Sequence, residues 1–378
     1  MIVLAIGARS NIERKYFTGQ SVMFDGIIEE FHKRNHSSTI IDIAPKGNNK
    51  AISRIFEYII VLIKELWLLL THKFDIAYIT TAQSKKGFFR DYLIIGLLRL
   101  FKIKVVIHQY GANYNQLLNS LGRVGKCALN RMLNKVTLIL VEGYHMQEQF
   151  SFLDNYKKKV CIIPNGLPII GPNALTIKTY KPNQPFKIFY LSNLIWTKGY
   201  FDVLEAVNLL VNCYQKNVKC VFAGAFMDSA DDPKHGISNK LDFDRFISEH
   251  HLENVVEYYP GLYGTEKDQM FYNSNAFILP TYYINEGQPV SIIEAMAYGC
   301  VPIVTNFRHI PMMINDKNGY FVEPKRPDQI AEKIIELMDN SQKYKSMSNI
   351  CIQDYKSKFT FERFADKVLE CMEVEANK

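Results

Sequence analysis

Short apolar runs alternate with longer amphipathic stretches along almost the whole chain. Ile2-Val3-Leu4-Ala5-Ile6 is a continuous apolar run that ends at Gly7, and a polar loop through Arg14 and Lys15 follows. Thr18-Gly19-Gln20-Ser21 then opens a stretch whose apolar positions, Phe24, Ile27, Ile28 and Phe31, recur with helical spacing. The pattern predicts further strands at 40–43, 75–80, 105–111 and 137–141, and the run 160–166 closes the first half. The same pattern predicts helices over 51–71, 88–101, 121–133 and 144–152. Strands separated by helices of this length imply β-α-β units and a parallel sheet.

Residues 167–185 contain Pro168, Gly171, Pro172, Pro182 and Pro185 and read as a linker. The alternation then restarts. Strands are predicted at 186–191, 218–222, 255–259, 275–280 and 301–305, with helices near 200–215, 239–250, 265–273 and 326–339. A tail follows, and Phe359-Thr360-Phe361 begins a last helix. The chain therefore divides into a domain over 1–166, the linker, a domain over 186–358 and a C-terminal helix over 359–378. Both domains are α/β and doubly wound, with ligands expected at the carboxyl ends of the strands.

One unit stands out. Asn275-Ala276-Phe277-Ile278-Leu279-Pro280 reads as a buried strand, and a polar loop with Glu286, Gly287 and Pro289 follows it. From about Val290 the pattern is helical, with Ile292, Ile293, Met296 and Ala297 facing inward and Gly299 as the stop. A helix that starts just after a strand favours anions, because its first N–H groups and its dipole both point at the ligand. Glu294 falls among Ile292, Ile293, Ala295 and Met296, where an unpaired carboxylate is costly.

Composition narrows the class. With 378 residues, 48% hydrophobic and 22% charged, the chain reads as a globular protein of two domains. Seven scattered cysteines form no C-x-x-C pair, and no signal peptide precedes Met1-Ile2-Val3. The expectation is a reducing cytosol, with no disulfide framework and no zinc ribbon. Tyr58 to Leu70 is apolar but carries Lys64 and Glu65 and falls short of a membrane span.

Charge is uneven. Residues 1–175 hold 23 Lys+Arg against 12 Asp+Glu, a balance of +11, and the remainder holds 22 against 26, a balance of −4. Chance surface variation is one reading. The other is a basic half that meets phosphates on a phosphorylated acceptor or an anionic membrane, using the 58–70 helix with Lys85, Lys86 and Arg90. No nucleic-acid partner is expected.

The spacing Glu286-x7-Glu294, within Glu286-Gly287-Gln288-Pro289 and Glu294-Ala295-Met296-Ala297-Tyr298-Gly299-Cys300-Val301-Pro302, resembles glycosyltransferase family 4 of the bacterial surface-polysaccharide type. Ile163-Pro164-Asn165-Gly166, Lys198-Gly199 and Asn318-Gly319-Tyr320-Phe321-Val322 extend the resemblance over residues 160–365. It implies the GT-B fold, in which two Rossmann-like domains face across a cleft and the last helix crosses back onto the first. It also implies a retaining transfer from a UDP- or GDP-sugar to a glycan or lipid-linked acceptor, with no metal cofactor, in the cytoplasm or at the inner face of the membrane.

The resemblance assigns roles by position. Lys198 faces the donor diphosphate, although a lone loop lysine would otherwise read as solvated. Glu294 accepts from the ribose hydroxyls. Glu286 lies against the donor sugar, beside the backbone of Gly287, Gln288, Pro289 and Val290. Gly19 and Gln20 approach the diphosphate from the first domain. The family's arginine before the lysine is replaced by Asn193, which offers a hydrogen bond without charge. His108 ends a strand and takes the acceptor-side role, with two alternatives open: the family register fits Tyr110 instead, or the histidine is a structural one at a strand end. Asp242-Phe243-Asp244 is a D-x-D on an amphipathic helix and reads as surface, as does His250-His251. A nucleotide-sugar epimerase and a non-catalytic binding partner on the same fold are the rival functions.

Overall fold

A computed structural model of the chain describes residues 1–11, 18–45, 51–111, 114–167, 170–228 and 239–378. Arg14, Lys15, Pro168, Asp231 and Asp232 lie outside the described residues. The chain divides into two compact units, Met1–Pro168 with Phe361–Lys378, and Ile169–Thr360.

The first unit runs β1 (Ile2–Gly7), α1 (Gly19–Lys33), β2 (Ser37–Asp42), α2 (Ala51–Thr71), β3 (Ile76–Thr80), α3 (Lys85–Leu100), β4 (Lys104–Gln109), α4 (Tyr114–Ser120) and α5 (Arg123–Lys135). β5 (Leu138–Val141), α6 (Tyr144–Glu148), α7 (Tyr156–Lys159) and β6 (Val160–Ile162) complete its first part. The second unit runs β7 (Phe186–Leu191), α8 (Tyr200–Asn208), β8 (Val218–Ala223), α9 (Asn239–Glu249), β9 (Val256–Tyr259), α10 (Gly264–Asn273) and β10 (Ala276–Leu279). It ends with α11 (Val290–Ala297), β11 (Val301–Thr305), β12 (Tyr320–Val322), α12 (Pro327–Asp339) and α13 (Ser341–Lys358). α14 (Phe361–Asn377) belongs to the first unit.

Each unit is built on one parallel six-stranded sheet among the described residues. The orders are β2-β1-β3-β4-β5-β6 and β12-β11-β10-β7-β8-β9. In the first sheet the winding reverses between β1 and β3, in the second between β7 and β10, so each unit has one switch-point crevice at its strand ends. The first sheet is covered on one face by α1 and α14, through Phe24, Ile27, Phe364 and Val368. Its other face is covered by α2, α3 and α5, through Leu68, Leu69, Ile95, Leu98 and Leu133.

The structure adds helices at α4, α7 and α13 to those predicted, so the expected tail after 339 is helical. The 200–215 helix ends as α8 at Asn208 and continues as one π turn, Leu209–Cys213. The proline-rich stretch is fastened to the second unit: Gly171 donates to Tyr298 Oη at 2.8 Å, and Leu175 donates to the Ala297 carbonyl at 2.7 Å. Lys178, buried, donates from Nζ to the carbonyls of Phe271 and Tyr272 at 2.7 Å each and so caps α10.

Glu65 is the misfit in the first core. It sits on the buried side of α2 with Leu68 and Leu69, and neither carboxyl oxygen has a hydrogen-bond partner. Burial pushes its pKa from 4.5 up to about 9, so the folded chain carries it neutral at pH 7. The folded chain therefore holds one proton more than the unfolded chain between pH 4.5 and about 9. Stability contributed below that window is lost as pH rises through it. Glu65→Leu is expected to raise stability by on the order of 2–4 kcal/mol at pH 8 and by much less at pH 5. Urea unfolding at the two pH values checks the difference.

Candidate functional site

In the second unit the loops leaving β7 and β10 border the switch point. The β7 loop pairs Leu194 with Phe226, then turns through a short 3-10 segment, Trp196–Lys198. Gly199 ends that turn at φ 74°, and a Cβ there would stand 2.6 Å from the Pro280 carbonyl oxygen. Glycine thus lets the β7 loop lie directly on the β10 loop. Tyr282 N–H donates to the Thr197 carbonyl at 2.8 Å and fixes the same junction.

The consequence is a held cation. Lys198 Nζ lies 3.4 Å from Glu286 Oε2 and 5.4 Å from the centre of the Tyr283 ring. Glu286 is 6% exposed and accepts from Thr281 Oγ1 at 2.9 Å. Thr281 is itself tied down, because its hydroxyl oxygen accepts from Tyr283 N–H at 3.2 Å and its carbonyl accepts from Thr305 Oγ1. Gln288 is also buried. Pro289 stands at the N-cap of α11 with φ −66° and supplies no side-chain cap. The amides at Val290 and Ser291 thus start a helix whose positive end faces the β10 loop.

Glu294 lies one turn into α11 and is ion-paired with Lys267 of α10. Burial pushes its carboxyl up, and the Lys267 ammonium opposes that. The sequence reading did not single out Lys267, which gives the carboxylate its counter-charge. Asn193 sits exposed on the β7 loop, its carbonyl accepting from Ile195 N–H at 2.9 Å.

Arg308 is a second cation that sequence reasoning passed over. It follows β11, adopts φ 49°, and its Nε is buried without a hydrogen-bond partner. Burial lowers its pKa and the Glu286 carboxylate raises it, so the two groups feel each other's charge. A left-handed backbone at arginine, with a donor left unmatched, costs free energy that neighbouring contacts do not explain. The available sequence signal was its place just beyond a strand's carboxyl end.

In the first unit the structure separates the predicted residues. Gln20 lines a cavity of about 480 Å³ at the switch point, with Ala8, Ala82, Ser84, Lys85 and Arg90. Gly19 is exposed, and a Cβ there would meet nothing within 4 Å, so the fold itself does not require glycine. His108 is elsewhere. It is fully buried, its Nδ1 shares hydrogen bonds with Tyr78 Oη at 2.7 Å and Tyr110 Oη at 3.2 Å, and its ring stacks 4.2 Å from Tyr110. Phe364 of α14 closes over it. Burial pushes the imidazole pKa down to about 3, which keeps it neutral. His108 is thus enclosed in the first unit, with its Nε2 buried and without a hydrogen-bond partner. Asp242 and Asp244 lie on α9 and pair with Arg245 and Lys240, as a helix surface does.

The fold is α/β with two Rossmann-like parallel-sheet units, the GT-B class, and residues 175–353 match the family described as glycosyl transferases, group 1. Its likeness to solved structures extends over the whole chain. Sucrose-phosphate synthase from Thermosynechococcus elongatus superposes with TM-score 0.72 at 12% identity, covering 99% of this chain and 98% of that one. Anabaena HepE, solved with UDP-glucose, gives 0.70 at 13% identity, covering 98% and 99%. A curated relative, an uncharacterized glycosyltransferase of Haemophilus influenzae, is 25% identical over 265 residues, 68% of this chain. The chain spans 65% of the length of that relative.

Proposed function

We propose that this chain is a family 4, retaining glycosyltransferase that moves a sugar from a UDP- or GDP-sugar to a glycan or lipid-linked glycan during polysaccharide assembly. The observation that carries the reading is the Lys198–Glu286 contact at the β7/β10 switch point, beside the uncapped start of α11. A diphosphate leaving group gains charge as the bond from C1 to its oxygen breaks, and preorganised cations and N–H groups stabilise that charge. Lys198, Arg308 and the α11 N-terminus supply them, with Arg308 offsetting the charge that Asn193 lacks. Glu294 accepts from the ribose diol, and Glu286 orients the donor sugar while holding Lys198 in place.

Retention follows from attack on the face the phosphate leaves. The acceptor hydroxyl oxygen bonds to C1 while its proton passes to the departing phosphate oxygen. The electron pair of the old C1–O bond stays on that phosphate, so no side-chain base is needed. The buried, neutral His108 fits a scheme in which it takes no part. HepE, solved with UDP and with UDP-glucose, favours a uridine donor. The basic lining of the first-unit cavity favours a phosphorylated acceptor.

The test is nucleotide release from a panel of UDP- and GDP-sugars, with and without glycan acceptors. Acceptor-dependent release of one nucleotide is expected. Release without any acceptor would support an epimerase, and binding without release would support a non-catalytic partner.

A further inference from the structure

α2 is apolar on both sides. Leu68 and Leu69 face the core, yet Ile55, Phe56, Ile59, Ile60, Ile63 and Trp67 are each between 46% and 63% exposed. Leu66 and Leu70 continue the stripe, and Phe89 of α3 lies exposed beside it. Among the exposed positions from Ile55 to Leu70, Lys64 alone is charged. Scattered apolar side chains on a surface are ordinary, but a continuous stripe along four turns marks a surface that something covers. Among the described residues no helix is long and apolar enough to cross a membrane.

The rim of the stripe identifies the occupant. The groove between α2 and α3, about 440 Å³, is lined by Arg54, Ile55, Ile59, Lys85, Lys86 and Phe89. Lys85 and Lys86 are exposed in the first turn of α3, which holds no acidic residue. Cations are disfavoured at that end of a helix, so this pair lacks the local counter-charge that would stabilise it. Arg90, by contrast, is pinned to Asp91 at 2.7 Å. A second copy on this face would cover the apolar stripe but bring no counter-charge for Lys85 and Lys86. An anionic lipid leaflet meets both needs, because apolar insertion and a basic rim together give stable anchoring where either alone is weak.

We infer that the α2–α3 face docks the first unit onto an anionic lipid leaflet. α2 lies in the interface plane with Ile59, Ile63 and Trp67 at the acyl boundary, and Arg54, Lys85 and Lys86 meet lipid phosphates. Arg54, Lys85 and Lys86 also border the first-unit cavity that the proposed function gives to the acceptor, so the docking is read by vesicle binding without donor or acceptor, independently of turnover.

The experiment is flotation of the full chain with phosphatidylcholine vesicles and with vesicles containing phosphatidylglycerol. The chain is expected to float with the second kind, less so as salt rises. Ile59→Glu with Ile63→Glu should reduce the bound fraction about tenfold or more. Lys85→Glu with Lys86→Glu should reduce it and remove most of the salt dependence. All four side chains are exposed, so both double variants should melt as wild type does. Failure of the wild-type chain to float with anionic vesicles would overturn the inference. So would undiminished flotation of the Ile59/Ile63 variant, or a wild-type dimer that this variant dissociates while vesicle binding stays absent.

Discussion

Lys198→Ala is expected to lower kcat by about two to three orders of magnitude, with a smaller rise in donor KM. The asymmetry comes from where charge develops. In the ground state the diphosphate is already charged and several donors can share it, so losing one weakens binding modestly. In the transition state the departing oxygen gains charge, and the cation held 3.4 Å from Glu286 is the group best fixed to meet it. Lys198→Ala also leaves the 6%-exposed Glu286 carboxylate without its ammonium partner, which costs stability. Melting curves therefore accompany the kinetics, and Glu286→Gln serves as the control that removes the other half of the pair. If Lys198→Ala changes stability alone and turnover of the folded fraction is unchanged, the lysine is structural.

Glu294→Ala is expected to raise donor KM by about tenfold to a hundredfold while kcat stays within a few-fold of wild type. The ribose is remote from the breaking bond, so contacts to it stabilise ground and transition states alike. The rival reading is that Glu294 only balances Lys267. Lys267→Met separates the two. If the pair is merely structural, both variants lose stability and neither moves KM. If Glu294 holds the ribose, its own replacement dominates. Burial pushes this carboxyl above the ordinary range, and only the ionised form accepts from both hydroxyls. Donor affinity should therefore weaken as pH falls through that raised value, and the effect should be absent in Glu294→Ala.

The fold was legible where helical and strand periods were clean. The limits of α2 at 51–71 and β7 at 186–191 are those the pattern predicts, because each is bounded by a sharp change of period. α13 was missed because its inward positions mix Tyr344, Ser348 and Tyr355 with Met347, Cys351 and Ile352, so no clean apolar stripe stands out. Their helical spacing is correct, but their mixed chemistry does not read as core. His108 shows the opposite limit. A histidine at a strand's carboxyl end looks ligand-facing in one dimension, and only the packing of Tyr78, Tyr110 and α14 shows it enclosed. α14 comes from 361–377, beyond the reach of any local pattern.

The site divides the same way. Glu286, Glu294 and Lys198 were readable as motif residues, and the structure adds that two of them touch. Gly199 explains how, through its approach to Pro280. Lys267 and Arg308 were not readable, since one reaches Glu294 from another helix and the other is marked by a left-handed backbone and an unmatched Nε. Asn193 is exposed and uncharged on the β7 loop.

The central claim is that the β7/β10 switch point is a nucleotide-sugar site that stabilises a departing diphosphate. Nucleotide release by the wild-type chain and Lys198→Ala, measured side by side over UDP- and GDP-sugars with and without glycan acceptor, tests it most directly. Acceptor-dependent release by the wild type is expected, with a loss of about a hundredfold or more in the variant. Equal release by the two folded proteins, or no release from any donor with any acceptor, would contradict it.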